Sequence, residues 1–497
     1  MFPFRCTEPD IIIKSVITLL ASFLLAGCVA GPDYAGPPEV FSANRNDGFV
    51  RAGGNIIDTE PELAEWWLLL NDPELTRLIE AALSDNPSLQ AAQARIAQAR
   101  ASVRQEKAGR FPTLGTQATA IQGRLPGLDI QNSAPPSASA PVSPQGQADD
   151  SLSVYNLGLN ANWELDFAGG TQRRIEAGNA QAAAAVANVE DAKVQLTAEV
   201  ANAYVNLREA QFRAKAYRTE CELQQQTLSL TYQRYQQGVL PLFPLGNANA
   251  ELELLKSQLA EAEADTAVLL DALAILAGQI PGTTDEALKQ IFDVPLPPEQ
   301  VAVGDPSNLV ARRPDIRAAE RSLAAATARI GVAEAARFPK LSFMGILGLG
   351  GTSPDDLFDV SNPSILAIPQ LQWNFLDFGR VDASVDQASA VRAEAVANYR
   401  KTVLSALQDA ERALSRFSQQ RSALVAFAQI KSQADGAADL DRQRFAGGVI
   451  SRADLNRTLR KQQQAATDLV RGKAALTLSW IALQKSLGLG WQVQAKI

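Results

Sequence analysis

This 497-residue chain lacks the side chain most used to move protons and activate nucleophiles near neutral pH, and that gap excludes whole classes of function. There is no histidine. Ser-His-Asp triads, Cys-His dyads, imidazole zinc ligation and imidazole proton transfer are therefore ruled out together. The three cysteines are Cys6, Cys28 and Cys221. The first two fall in the leading segment, so the third has no partner for an internal disulfide. Cys28 has the more telling setting. It follows an apolar run over 15–26 and the small residues Ala26 and Gly27, with Arg5 and Lys14 ahead of the run, which is where export signals are processed. No glycine-rich phosphate loop occurs, and the carboxylates are scattered along helix faces instead of being gathered. Asp454 and Arg457, three apart near the start of a helix, can share a face and pair. The 46 basic and 54 acidic side chains, net −8, are interspersed, and no basic run offers itself to nucleic acid.

The elements that position these residues come in two copies. Residues 86–115 align without a gap to residues 313–342, sharing Pro87 with Pro314 and the triplet Arg110-Phe111-Pro112 with Arg337-Phe338-Pro339. Further on, Arg234 answers Arg444, Gly238-Val239 answers Gly448-Val449, and Gly278 answers Gly488. The second copy is shorter by part of one loop, the Pro-, Ser-, Ala- and Gln-rich stretch 123–150. So long a period is a duplicated domain-sized unit and not a solenoid repeat.

Each copy reads as helix, two strands, a very long helix, a turn and another helix. The first helices are expected over 74–109 and 307–336, opened by Asp72-Pro73 and Arg313-Pro314-Asp315. Strands are expected near 111–122 and 338–350. From Tyr155 the chain alternates: Tyr155, Leu157, Leu159, Ala161, Trp163 and Leu165 against Asn156, Gly158, Asn160, Asn162, Glu164 and Asp166. The second copy repeats this with Leu371, Trp373 and Phe375 against Gln370, Gln372 and Asn374. Strands of about 9 to 11 such residues span a bilayer, with the apolar set toward lipid and the polar set toward a lumen. Residues 171–236 and 381–446 contain no proline, and helices that long reach about 100 Å. In the second, Val396, Tyr399, Val403, Ala406, Ala410, Ala413 and Phe417 follow a 3-4 spacing suited to knobs-into-holes packing, with Leu404, Leu407 and Leu414 beside it. The fold class is mostly α with a small β part. Four strands cannot close a barrel by themselves, which calls for an oligomer. Beyond the leader no segment is apolar enough for a membrane helix, since the longest candidate, 267–277, carries Asp271.

Leu25-Ala26-Gly27-Cys28 resembles the lipobox of bacterial lipoproteins, which implies cleavage before Cys28, a covalent lipid on its sulfur, and, with Val29 following, sorting to the outer membrane. Together with Gly31-Pro32-Asp33-Tyr34, Trp66-Trp67, Asn71-Asp72-Pro73-Glu74-Leu75, Trp163-Glu164-Leu165-Asp166, Arg312-Arg313-Pro314-Asp315-Ile316 and Leu487-Gly488-Leu489-Gly490-Trp491, the chain resembles the outer-membrane efflux factors. These are TolC-like channels, here of the NodT-type lipoprotein branch. The resemblance implies a homotrimer whose strands form one 12-stranded barrel, continued by a helical tunnel in the periplasm. It also implies two partners, a periplasmic adaptor and an inner-membrane RND-type transporter, with this chain as a passive exit duct in outer-membrane lipid. The implied organisation is a signal peptide over 1–27, an extended segment over 28–72, repeats over 73–300 and 301–491, and a tail over 492–497. No other cofactor, metal or enzymatic activity is expected.

In that family the periplasmic end is closed by helical hairpin tips. Here the tips are Gly238, Val239, Gly448 and Val449, expected to touch the adaptor, and the gate residues carried over are Asp454, Arg457, Phe445 and Phe243. Arg457 stands where a second acid is common, and Phe445 where a tyrosine is common. In the first copy Pro244 takes the place of Asp454, within Leu240-Pro241-Leu242-Phe243-Pro244-Leu245. The alternative reading is a lipid-anchored periplasmic coiled-coil protein of structural or adhesive role, against which stand the alternating strands at matched places in both copies.

Overall fold

The computed structural model describes residues 29–40, 48–51, 56–57, 59, 61, 64–124, 151–361 and 363–491. The first copy runs α1 (Pro73–Asp85), α2 (Pro87–Ala108), β1 (Thr113–Arg124), β2 (Ser151–Leu165), α3 (Gly170–Gln236) and α4 (Leu242–Leu276). After the short α5 (Asp285–Leu288), the second runs α6 (Pro306–Arg312), α7 (Pro314–Ala335), β3 (Lys340–Gly351), β4 (Pro363–Gln372), α8 (Arg380–Ala446) and α9 (Arg452–Ser486). Four pairs of counterparts are equal in length: 22 residues for α2 and α7, 12 for β1 and β3, 67 for α3 and α8, 35 for α4 and α9. The chain forms two compact units, Met1–Ala35 with Arg100–Ala180 and Ala324–Ala393, and Gly36–Ala99 with Gln181–Leu323 and Glu394–Ile497. Each unit draws on both copies, so the repeats over 73–300 and 301–491 are not themselves the compact units.

The first helix expected over 74–109 is two helices, broken between α1 and α2, and the one expected over 307–336 breaks between α6 and α7. Proline is the cause. Asn86 and Arg313, each preceding a proline, take extended ψ values of 121° and 124°, because the ring disfavours a helical residue before it. Asp72-Pro73 therefore corresponds to Asp305-Pro306. Both aspartates cap: Asp72 Oδ1 accepts from the amides of Glu74 and Leu75 at 3.0 and 3.1 Å, and Asp305 Oδ1 from Asn308 at 2.8 Å.

The first unit carries an antiparallel sheet in the order β1-β2-β3-β4. Register sets Leu157 opposite Leu349, Leu159 opposite Leu347, Trp163 opposite Phe343, Leu347 opposite Ile365 and Leu341 opposite Leu371. One face is thus apolar across all three strands. The other presents Asn156, Gly158, Asn160 and Asn162 on β2, facing Gly350, Gly348, Ile346 and Met344 on β3. A Cβ on Gly158 would lie 2.4 Å from the Leu347 carbonyl oxygen, and one on Gly348 would lie 2.6 Å from that of Leu157. Only glycine fits there, and this close backbone approach marks a tight bend between β2 and β3 on the polar face.

The expected alternation through Trp373 and Phe375 stops early, since β4 ends at Gln372. The Trp373 indole N–H instead donates back to the Arg337 carbonyl at 3.1 Å, as Trp163 does to Arg110 at 2.9 Å. Each copy thus ties a tryptophan to the backbone of its Arg-Phe-Pro triplet, and in the second copy that tie lies outside the ladder. In β4 the run Ile365 to Ile368 is apolar on both faces, so the clean alternation belongs to β2.

The second unit has one continuous core. Leu75, Leu78 and Ile79 of α1 join Tyr204 and Leu207 of α3, Val403, Ala406, Ala410, Leu414 and Phe417 of α8, and Trp480 and Ile481 of α9. The 3-4 stripe of α8 is buried from Tyr399 to Phe417, while Leu404 stays exposed. Trp66 packs edge-on against both Trp67 and Trp480, with ring centroids 5.8 and 5.4 Å apart. Among the described residues no helix is long and apolar enough to cross a membrane.

Candidate functional site: two helix tips and the polar links behind them

Both tips end in the same backbone device. Gly238 and Gly448 each have φ of +72°, a value glycine adopts without strain. The Val239 amide donates to the Arg234 carbonyl at 2.9 Å and the Gly238 amide to Tyr235 at 2.9 Å, while Val449 donates to Arg444 at 2.8 Å and Gly448 to Phe445 at 3.0 Å. This is a Schellman closure in both copies. It leaves Val239 and Val449 exposed side by side with their glycines.

Beyond the turns the tips diverge. At α9 the Ser451 hydroxyl donates to Asp454 Oδ2 at 2.7 Å and its oxygen accepts the Asp454 amide at 3.2 Å. Arg457 pairs with Asp454 at 3.2 Å, both side chains well exposed. The Ser451 hydrogen bonds, with Arg457 and Arg234 nearby, hold the Asp454 carboxyl below the usual carboxylate range. The Arg452 guanidinium stacks over the Phe445 ring at 5.4 Å and reaches Gln226 of α3 at 3.3 Å. At α4 the capping position is Pro241, with no side-chain cap, and Leu242 and Phe243 are exposed. The structure therefore brings Asp454, Arg457 and Phe445 into one neighbourhood and leaves Phe243 as a bare apolar tip. Cys28 lies outside the described residues.

Reasoning from sequence did not find the polar links further along the hairpins. Asn456, fully buried, donates from Nδ2 to the Leu223 carbonyl and to Thr227 Oγ1, both at 3.2 Å. Arg460 pairs with Glu251. These contacts join α9 to α3 and α4. Within the α8–α9 hairpin, the Thr458 hydroxyl donates to Asp441 Oδ2 at 2.6 Å and Gln462 Nε2 to Asp435 Oδ1 at 2.7 Å. Glu220 of α3 is buried, and desolvation pushes its carboxyl up to about 7 against the opposing pull of Arg460. No sequence signal marked Asn456, whose neighbours three and four residues away are Arg452, Ala453, Leu459 and Arg460.

A four-stranded antiparallel sheet with one apolar face and two 67-residue helices in the same chain are the elements of a barrel-and-tunnel outer-membrane channel. Residues 78–279 and 306–489 match the model of the outer membrane efflux protein family, and the chain belongs to that family. It is 27% identical to Nodulation protein T of Rhizobium leguminosarum bv. trifolii over 477 residues, covering 96% of this chain and 97% of that one. It is 28% identical to outer membrane protein OprJ of Pseudomonas aeruginosa over 483 residues, covering 96% of each. The solved outer-membrane channel OprN superposes with a TM-score of 0.79 at 30% identity, covering 93% of this chain and all of that one. The protein is an outer-membrane exit duct of an efflux system.

Proposed function

We propose that three copies of this chain close one 12-stranded barrel and a common helical tunnel, through which solutes delivered by a periplasmic adaptor and an inner-membrane RND-type transporter leave passively. The observation that carries this reading is the four-stranded sheet, whose outer strands β1 and β4 have no second partner strand among the described residues and whose strands β2 to β4 share an apolar face. Unpaired strand edges cannot stand in hydrocarbon, and about eight strands is the least that closes. The shared Schellman tips, each presenting Gly-Val, suit an adaptor that grips both copies alike: Gly238 and Val239 on one, Gly448 and Val449 on the other. The gate is assigned to Asp454, Arg457, Phe445 and Phe243. Its opening moves α8–α9 away from α3–α4 and breaks the bonds of Asn456, Arg460 and Arg452. Cys28 carries the covalent lipid that anchors the chain in the outer membrane.

Purification from outer membranes in detergent, followed by native mass measurement and planar-bilayer recording, tests the assembly. A heat-modifiable trimer that conducts is expected. A monomer without conductance overturns it. Loss of palmitate labelling in Cys28→Ser tests the lipid separately.

A further inference from the structure

The residues that follow Cys28 are seated in the sheet-bearing unit by contacts that no part of the duct function uses. The Ala30 amide donates to the Ala168 carbonyl at 2.9 Å, in the turn leaving β2. Gly31, at φ +85°, crosses α7 at Gly331 so closely that a Cβ on Gly31 would lie 2.3 Å from Gly331 Cα. A Cβ on Gly331 would lie 2.6 Å from the Ala30 carbonyl oxygen and 2.7 Å from Arg173 Cγ. Over this crossing sits Arg173, in the first turn of α3, its side chain only 4% exposed. Its Nε donates to the Ala30 carbonyl at 2.9 Å, and its Nη2 to the Gly31 carbonyl at 2.9 Å and Asp33 Oδ1 at 2.8 Å. Nη1 goes to Glu176 at 2.8 Å. A buried guanidinium is costly unless its donors are paired, and three of these four bonds end on residues 30–33.

We propose that Arg173 and Gly331 form a receptor for the strap of residues 29–33, so that the N-terminal anchor is fixed at the end of the sheet where β2 gives way to α3. Arg173 is a positioning residue in this scheme. The strap touches the first copy at Ala168 and Arg173 and the second at Gly331, and so also bridges the bases of the two strand hairpins. The fork of arginine matters, because two adjacent carbonyls and a carboxylate are read at once, which the single ammonium of lysine cannot do. The proposal rests on lipidation of Cys28 for its purpose but not for its geometry.

Hydrogen–deuterium exchange of the trimer in lipid bilayers reads the strap directly. The Ala30 amide is expected to be protected in the parent and to exchange about tenfold faster or more in Arg173→Lys, as expected for loss of a charge-assisted hydrogen bond. Gly331→Ala should do the same. It raises the helix propensity of α7, so a loss of protection there reports the blocked crossing and not a weakened helix. Unchanged protection in both variants overturns the receptor. The purpose is read by a cycle with Cys28→Ser. Arg173→Lys should lower outer-membrane trimer yield in the lipidated chain and have no further effect in Cys28→Ser, whereas equal losses in both backgrounds make Arg173 a folding residue only and sink the positioning role. If the parent chain takes up no palmitate, the lipid reading fails by itself while the exchange result still decides the strap.

Discussion

The two hairpin tips share a backbone and differ in chemistry. Both helices stop in the same Schellman closure at Gly238 and Gly448. The next helix then starts behind an uncapped Pro241 with Leu242 and Phe243 bare in the first copy, and behind a capping Ser451 with a charged pair in the second. Duplication has thus kept the turn while the residues just past it diverged. What closes the chain can be held fixed, and what it presents can vary, because the closure is made by main-chain groups and one glycine. The second tip is also bonded back to α3 and α4 through Asn456, Arg452 and Arg460. It is the fastened tip, and the first is the apolar one.

The largest expected effect comes from unfastening the second tip. Arg460→Ala removes the partner of Glu251 and the cation facing buried Glu220, and should cost about 1 to 3 kcal/mol per protomer. It should raise planar-bilayer conductance, while Phe243→Ala at the other tip should leave urea midpoints unchanged.

The next effect is pH. The folded-state pKa of Glu220 is raised to about 7, from an ordinary 4.5, so the folded chain holds this proton more tightly than the unfolded one. That contribution is fully present below about pH 4.5 and is lost as pH rises through about 7. Urea midpoints should fall between pH 5 and pH 8, and Glu220→Gln should flatten this part of the profile.

A smaller effect tests the caps. Ser451→Ala should destabilise the start of α9 by about 1 kcal/mol. Pro241→Ser, which offers α4 the cap it lacks, should make the two tips more alike in amide exchange. If α4 gains no protection, the contrast lies in Leu242 and Phe243 and not in the caps.

The smallest is the exposed pair. Asp454→Ala with Arg457→Ala should change stability by about 0 to 1 kcal/mol per protomer, yet raise single-channel conductance and sensitise cells to large antibiotics, with trimer yield intact. Unchanged conductance in this variant, with an increase in Phe243→Ala, would assign sealing to the apolar tip.

The duplication, the long helices and the Gly-Val tips were legible in the sequence because they depend on local spacing, on glycine and on the absence of proline. The helix breaks before Pro87 and Pro314 were not read, because the surrounding alanine-rich periodicity runs straight through both prolines. The end of β4 was not legible. Alternation continues past Gln372, and only the bond from Trp373 to the Arg337 carbonyl shows that the ladder has stopped. Asn456, Arg460 and Glu220 were missed for a related reason. Their partners on the other hairpin, Leu223 and Glu251, lie more than two hundred positions away, where no periodicity connects them. Arg173 looks like any basic residue in a helical first turn until Ala30 and Gly31 are seen against it.

The six tryptophans divide unevenly between the two units. Trp66, Trp67, Trp480 and Trp491 are buried in the helical unit, whereas Trp163 and Trp373 are open at the junctions between strands and Arg-Phe-Pro triplets. The chain therefore carries its own optical labels. Brominated lipids should darken the emission of Trp163 and Trp373 and spare the other four, so one fluorescence trace can follow entry into the bilayer while another follows consolidation of the helices.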